Sequence, residues 1–530
     1  MGRTESVRPK HNHSHRGTMR SHTKLVAVLA AGLVATAVLP IGDAFGATAK
    51  TTKKKATTKK KKTTAKAAPT TEAAPAPAPA AAASACSSKP DTSLDKTYGA
   101  DAGWTKWAQE CAESKPLKAS GDPIVVGIQA LEGDPAGTFP EYRIAAEAAV
   151  QYINNELGGI GADLAAGKAG RPIKLEICKM AVNPTDSTKC ANEIAAKKPF
   201  IVFSPLNFFG NHFATYNAAK IPVIVGTPIT PADFTSPGTF AIGGGGGCLG
   251  VHTGLIEFAT KDLKGNKVAV PWANTPPGVF CYHDLEKKPL QVLNGQTAAK
   301  DNPAALTKPS LTHIGVPILP GQADVTPQAQ QVLDFKPDVI VFSAQGADCW
   351  TFVSALGKLG WTPSKIPLVL SGACTDDVKA KEAGELAKGI YFVGSVPITQ
   401  TANLKGLLQD QSKLYLSKSD KYGAKDEKFK GFATQGFLAM MNIWQLGTQA
   451  SKGNPAALTP QGVEDAFAKT SGHHAWGGSP LECTAAPKPY ISVCNSRVTT
   501  TQWNGSGYDL KRADYSGLYL IKGTELDFGR

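Results

Sequence analysis

The chain has 530 residues, more than one hydrophobic core holds, so two or more domains are expected. Its formal net charge is +14, yet residues 1–66 carry 15 Lys/Arg against 2 Asp/Glu and the remainder carries 42 against 41. The folded part is therefore close to neutral, which excludes a nucleic-acid-binding reading built on the overall charge.

Residues 25–39 form an apolar run preceded by Arg16, Arg20 and Lys24 and followed by the small residues Gly42, Ala44, Gly46 and Ala47. This is the layout of a secretory signal peptide, assigned to residues 1–47. The run is short for a spanning helix, and an uncleaved anchor is the alternative. The chain is expected to be exported, to the cell envelope or beyond it. A start at Met19 gives a tighter signal and would leave out His11, His13 and His15, which otherwise read as a metal-binding tract. Residues 48–85 are Lys, Thr, Ala and Pro with almost nothing to bury, so a disordered, extended tether is expected. Its runs Lys53 to Lys55 and Lys59 to Lys62 suit contact with anionic envelope polymer or lipid headgroups; a solvated spacer is the plainer reading. Residues 86–121, with Trp104 and Trp107, form an N-terminal extension.

From Pro123 the pattern becomes regular. A β-branched run at 124–128 predicts a buried strand, and Ala146, Val150 and Ile153 stand at helical spacing within 143–157. The turn Asn154-Asn155-Glu156-Leu157-Gly158-Gly159-Ile160-Gly161 stops that helix. Further strands are predicted at 173–177, 199–203 and 221–225. The alternation predicts a parallel sheet with crossover helices, whose ligands bind at the carboxyl ends of the strands. Those ends are the loops at 131–138, 204–209 and 226–231. After Cys248 the alternation restarts: a helix over 251–263, strands at 267–270 and 312–316, a helix over 327–335, a strand at 339–342, a helix over 349–359, and strands at 367–370 and 390–393. This reads as a second α/β lobe, joined to the first through Gly243 to Gly247.

Gly245, Gly247 and Gly250 make a Gly-x-Gly-x-x-Gly between a strand and a helix, as a dinucleotide fold needs. The next strand, however, ends Pro271-Trp272-Ala273-Asn274, with no acid for a ribose hydroxyl. Neither Gly-x-Ser-x-Gly nor His-Glu-x-x-His occurs, and His473-His474 lies in a Gly-rich stretch. No catalytic residue, metal site or cofactor is expected, and the chain is not read as an enzyme.

Ten cysteines in an exported chain favour disulfides. They fall in five sequential couples: Cys86/Cys111, Cys178/Cys190, Cys248/Cys281, Cys349/Cys374 and Cys483/Cys494. Local pairing is the simplest connectivity, although sequence alone does not dictate it. A bridge from Cys178 to Cys190 would pin the ligand-side loop at 179–189, and one from Cys349 to Cys374 would brace the ligand face of the second lobe. A zinc site is the rival reading, but no Cys-x-x-Cys occurs.

Several pieces together carry a family resemblance. These are Val126-Gly127-Ile128 with the turn at 133–137, the helix over 146–153, Gly158-Gly159-Ile160, the strand entry Arg171-Pro172-Ile173-Lys174-Leu175, and Ile224-Val225-Gly226-Thr227-Pro228. Lys267-Val268-Ala269-Val270 and Lys336-Pro337-Asp338-Val339 extend the match. The segment resembles the branched-chain amino acid (Leu/Ile/Val) type of ABC-transporter substrate-binding protein. The resemblance implies a two-lobe α/β fold of the periplasmic-binding-protein type I, each lobe a parallel sheet flanked by helices, with three crossovers. Lobe 1 would comprise 122–243 and return over 397–491; lobe 2 would comprise 244–396, joined by a C-terminal segment 492–530. The crossings would fall near 243–247, 394–397 and 492–503. It implies an extracellular solute-binding protein of an ABC uptake system, closing by a hinge around an amino acid or related small organic ligand, with permease subunits as partners. A cell-surface module that senses a ligand without transport is the alternative. No Cys follows the apolar run before Cys86, so the lipid anchor of many relatives is not expected.

The strand-end loops nominate the ligand contacts. In lobe 1 they are Asn207, Phe208 and Phe209, then Thr227, Ile229 and Thr230, the last at the family's carboxylate-binding Thr. In lobe 2 they are Trp272, Asn274, Gln345 and Asp348, with the loop at 371–376 placed similarly. Core packing is the competing reading of each aromatic, and turn or cap formation that of the polar residues. Three departures stand out. Phe208 replaces a usual Ser or Thr, Ala373 replaces the carboxylate that binds the ligand's ammonium, and Gln345 replaces an aromatic. A buried ammonium needs a charge-assisted partner; Asp348 or Asp376 is the alternative carboxylate, and without one a less charged or more aromatic ligand is expected.

Overall fold

The computed structural model describes residues 85–522 apart from 135–136, 244–245, 298–306, 396–397 and 487. The expected signal segment, nearly all of the expected tether, Gly245 of the glycine motif and the Pro397 end of a crossing lie outside the described residues. No described helix is long and apolar enough to cross a membrane.

Five parallel strands form the first sheet: β1 (Ile124–Leu131), β2 (Ile173–Met180), β3 (Ile201–Ser204), β4 (Val223–Val225) and β5 (Thr239–Ala241). Their spatial order is β2-β1-β3-β4-β5. Helices cover both faces, and this is why the central strands are continuous apolar runs rather than alternating ones. The helix Pro140–Asn155 opens with Pro in its first turn and stops where Gly158 (φ 76°) and Gly159 (φ 82°) adopt left-handed backbone. Asn154 then staples the turn to β2: its Nδ2 donates to the Ile173 carbonyl and its Oδ1 accepts from the Ile173 N–H, both at 2.8 Å. The helix Ala433–Ser451 lies against Pro140–Asn155 so closely that a Cβ on Gly436 would stand 2.0 Å from the Tyr142 carbonyl oxygen.

The second sheet has seven strands: β6 (Lys267–Ala273), β7 (Thr312–Ile318), β8 (Val339–Phe342), β9 (Leu368–Ser371), β10 (Tyr391–Gly394), β11 (Val498–Trp503) and β12 (Tyr508–Tyr515), ordered β12-β11-β10-β9-β8-β6-β7. β6 to β10 are parallel, while β11 and β12 add an antiparallel hairpin. The hairpin escapes a simple alternation reading because β12 is exposed along most of its middle. The helix anticipated at 251–263 starts three residues earlier, as Cys248–Glu257, and continues as a π-helical stretch Phe258–Asp262.

The chain is thus the two-lobe α/β fold, with one sheet in each lobe. It passes between lobes after β5, after β10 and before β11. The first and third passages run side by side: the Ala241 N–H donates to the Ser492 carbonyl at 2.7 Å and the Cys494 N–H to the Ala241 carbonyl at 3.2 Å. The N-terminal extension is a folded part of lobe 1. Its helix Ala102–Ser114 stacks Trp104 on Trp444 with ring centroids 5.3 Å apart, and buries Ala108, Cys111 and Ala112 in the lobe 1 core.

All ten cysteines are bridged as the five sequential couples. Cys86 joins Cys111, Cys178 joins Cys190, Cys248 joins Cys281, Cys349 joins Cys374 and Cys483 joins Cys494, with Cα–Cα separations of 4.0 to 5.8 Å. Cys178 lies within β2 and Cys190 is buried on the helix Pro184–Ala196, so their bridge fastens that helix to the strand before it.

Candidate ligand-binding site

The carboxyl ends of the two parallel sheets face each other across a cavity of about 120 Å³. Lobe 1 contributes Phe208 after β3 and Thr227 and Ile229 after β4. Lobe 2 contributes Ala273 and Thr275 after β6, Ser343 to Gln345 after β8 and Ser371 to Ala373 at the end of β9. The passages between lobes supply Gly247 to Cys248, Val251, His252, Gly394, Ser395 and Thr399, and the turn before the helix Ala433–Ser451 supplies Phe429 to Phe432 with Thr434 and Gln435.

The lobe 1 wall is aromatic and internally bonded. Phe432 stacks on Tyr142 (centroids 4.8 Å, 16° between planes) and receives the edge of Phe139 at 5.5 Å. Thr227 donates from Oγ1 to Gln435 Oε1 at 2.6 Å, and the Tyr142 and Thr227 hydroxyl oxygens lie 2.5 Å apart. Burial holds the Tyr142 phenol far above its ordinary pKa, so it stays neutral and serves as a hydrogen-bonding group. Above this wall, burial lifts the Glu141 carboxyl to about 7, with its own backbone N–H and Lys430 pulling the other way.

The lobe 2 wall is polar. Ser371 donates to the Ala344 carbonyl at 2.6 Å, and Ser343 donates to the buried Glu286 at 3.0 Å. The bridge Cys248–Cys281 lies on the cavity itself and ties the start of the helix Cys248–Glu257 to the helix Pro276–Tyr282. The bridge Cys349–Cys374 stands behind, joining the helix Ala347–Lys358 that follows β8 to the turn after β9.

The ligand-side role expected of Cys178 and Cys190 is corrected here. None of the residues 179–189 lines the cavity, and neither Cys178 nor Cys190 does. The reason is topological: β2 is the edge strand of its sheet, so its carboxyl end lies beyond β1 and away from the ends of β3 and β4 that form the wall. Much of the span is also helix from Pro184 onward rather than loop. The Cys178–Cys190 bridge therefore braces the lobe 1 scaffold.

Of the residues nominated from sequence as ligand contacts, Phe208, Thr227, Ile229 and Gln345 come together on the cavity. The other six sit off it, each with a structural occupation. Asn207 is buried, donating to Ser187 Oγ at 2.8 Å and accepting the Phe209 N–H at 3.0 Å, while Phe209 packs half-buried on the lobe 1 core. Thr230 caps the short helix Pro231–Thr235 in a reciprocal box with Asp233. Trp272 stacks on Tyr282 at 4.9 Å with ring planes 3° apart. The Asn274 backbone N–H donates to the Ile318 carbonyl at 2.7 Å. Asp348 accepts the Gly321 N–H at 3.0 Å, and burial raises its pKa. Sequence reasoning did not nominate His252, Ser343, Phe432 or Gln435. Ser343 carried a usable signal, since it directly follows a buried strand. Gln435 carried none, because it meets Thr227 only through a helix pairing 208 residues away.

Charge on the lining is one-sided. His252 and Lys430 are the ionisable side chains among the lining residues, and no carboxylate is among them. Lys430 is paired with Glu427 at 2.8 Å.

A family model described as periplasmic binding protein matches residues 124–475. No curated protein sequence matches the chain. Among solved structures, the branched-chain amino acid transporter substrate-binding protein LivJ of Streptococcus pneumoniae, in complex with isoleucine, is similar to it with a TM-score of 0.54 and 15% identity, over 74% of this chain and 100% of that one. The leucine-binding protein LivK of Thermotoga maritima gives 0.54 and 13%, over 74% and 98%. A fatty acid ABC transporter substrate-binding protein from Thermomonospora curvata gives 0.56 and 15%, over 77% and 96%. At these identities the likeness speaks to the fold.

Proposed function

Because the chain belongs to the periplasmic binding protein family, we propose that it is an exported solute-binding protein that closes around a small organic ligand and hands it to the membrane subunits of an ABC uptake system. The observation that carries this reading is the cavity itself. It lies where the carboxyl ends of both parallel sheets meet, and its walls belong to two lobes joined by chain passages. Ligand touching both walls favours the closed arrangement over the open one by its differential contacts, and a hinge at the passages allows the change. Phe208, Thr227, Ile229 and Gln345, with Phe432 and Gln435, are the contacts we assign. Ala373 stands where an amino-acid ligand would need a carboxylate, so the ligand class extends beyond amino acids.

The test is to denature the purified full-length protein and identify by mass spectrometry what it releases. A small organic molecule at near-stoichiometric amount is expected, and adding it back to emptied protein should raise Tm. An empty protein whose Tm no amino acid, organic acid, amine or short peptide shifts would overturn the reading.

A further inference from the structure

One cluster on the lobe 2 wall brings a buried carboxyl group, a hydroxyl and an imidazole together beside the cavity. Glu286, in the π-helical stretch His283–Lys287, is fully buried with its side chain 0% exposed. It has no lysine or arginine partner among the described residues. One oxygen accepts from Ser343 Oγ at 3.0 Å. The other stands 3.1 Å from His252 Nδ1, an ion-pair distance without the angles of a hydrogen bond, and neither of these two atoms has another hydrogen-bond partner among the described residues. A buried carboxyl group needs a polar partner for each oxygen, and the His252 ring is what faces the second one. His252 and Ser343 both line the cavity, so the cluster ends on the ligand space. With Nδ1 facing Glu286, the other ring nitrogen is left for a ligand.

The rest of the lining points the same way. Gln435 engages its oxygen with Thr227 and Tyr142, which leaves its amide nitrogen as a donor. Lys430, paired with Glu427 at 2.8 Å, also reaches the lining, while an ammonium group entering the cavity would meet no carboxylate on the lining. Phe208, Ile229, Val251 and Phe432 give the cavity an apolar side, facing the hydroxyls of the lobe 2 wall. We propose that the cleft takes an apolar-bodied organic carboxylate without an amino group, its anionic end held by His252, with Glu286 and Ser343 as positioning residues for the imidazole. This rests on the solute-binding reading and narrows it to a substrate class.

Calorimetric titration of ligand-stripped full-length protein with two matched sets tests it: hexanoate, norleucine and hexylamine, and 3-phenylpropionate, phenylalanine and phenethylamine. The molecule released by denaturation is identified in parallel. A carboxylate binding at least tenfold more tightly than its amino acid and amine counterparts supports the proposal, as does release of an organic acid lacking an amino group. His252→Leu should weaken that binding tenfold or more. His252→Gln, which keeps a donor of similar size, should fall between, and Glu286→Gln should weaken it less than His252→Leu. Release of, or preference for, an amino acid, an amine or a neutral molecule would overturn the carboxylate assignment and leave solute binding standing. So would unchanged carboxylate affinity in a folded His252→Leu protein. Nothing released and nothing bound would overturn both readings.

Discussion

Thr227 and Gln435 are 208 residues apart in the chain and share a 2.6 Å hydrogen bond at the floor of the cleft. The first follows β4; the second lies in the first turn of a helix that returns from the other lobe. Their bond makes the lobe 1 wall a single unit, with Tyr142 behind both hydroxyl and amide. Gln435→Ala should leave Thr227 with one partner fewer and remove a donor from the cavity. A stability loss of about 1 kcal/mol is expected in urea unfolding, together with about tenfold weaker binding of the released ligand by calorimetry.

The bridge Cys248–Cys281 closes part of the cavity wall, whereas Cys86–Cys111 ties down the N-terminal extension. Both close loops long enough to stabilise the fold by about 3 kcal/mol each. Replacing either pair with serines should therefore lower Tm comparably. Only loss of Cys248–Cys281 should also weaken ligand binding, because it frees the start of the helix that carries His252. Equal affinity in both double variants would remove that bridge from the site.

Glu141 links folding to pH. Burial raises its folded-state pKa to about 7, above the ordinary carboxyl value. Between about 4.5 and 7 the folded state holds a proton that the unfolded state has released, so stability falls as pH rises through that window. The full effect is about 3 kcal/mol. Glu141→Gln, neutral throughout, should flatten this part of the profile and be the more stable protein at pH 8. Thermal unfolding of both proteins from pH 4 to 8 measures the difference.

Trp104 belongs to the extension yet stacks on Trp444 of the helix that also carries Gln435. Trp104→Ala should cost about 2 kcal/mol, since the ring is only half-buried. Ligand affinity should change less than twofold, because the stack lies away from the cavity. A large affinity loss in a folded variant would show that the extension shapes the cleft.

Gly436 offers a steric test of the helix pair. A Cβ there would overlap the Tyr142 carbonyl at 2.0 Å, and that atom is backbone and cannot swing aside. Gly436→Ala should destabilise by about 2 kcal/mol and weaken binding by displacing Gln435 next to it.

Much of the scaffold was legible from local pattern. β1, β3, β4, β8 and β9 are apolar runs, mostly β-branched outside β9, because they are buried on both faces, and the two glycines after Leu157 mark a helix end that only left-handed backbone completes. Phe208, Thr227, Ile229 and Gln345 could be nominated because the rule that places ligands at strand ends is itself local. Thr230 and Asn207 obey the same rule but are claimed by a cap and by a loop brace; the cap is a local motif with Asp233 three residues on, whereas the brace appears only when Ser187 is in place. Cys178 and Cys190 pair as their spacing suggests, but which strand stands at the sheet edge decides that their bridge lies off the cleft.

The sequence by itself determined the succession of strands and helices, the family resemblance and the division of charge between a basic N-terminal region and a neutral body, because periodicity and composition are properties of neighbouring residues. Only the tertiary structure decided that His252, Glu286 and Ser343 form one cluster and that Gln435 meets Thr227. Those contacts depend on how a helix, a π-helical stretch, a strand end and a returning helix pack together. Burial of a carboxylate, unlike the pattern of a strand, is a property of everything that surrounds it.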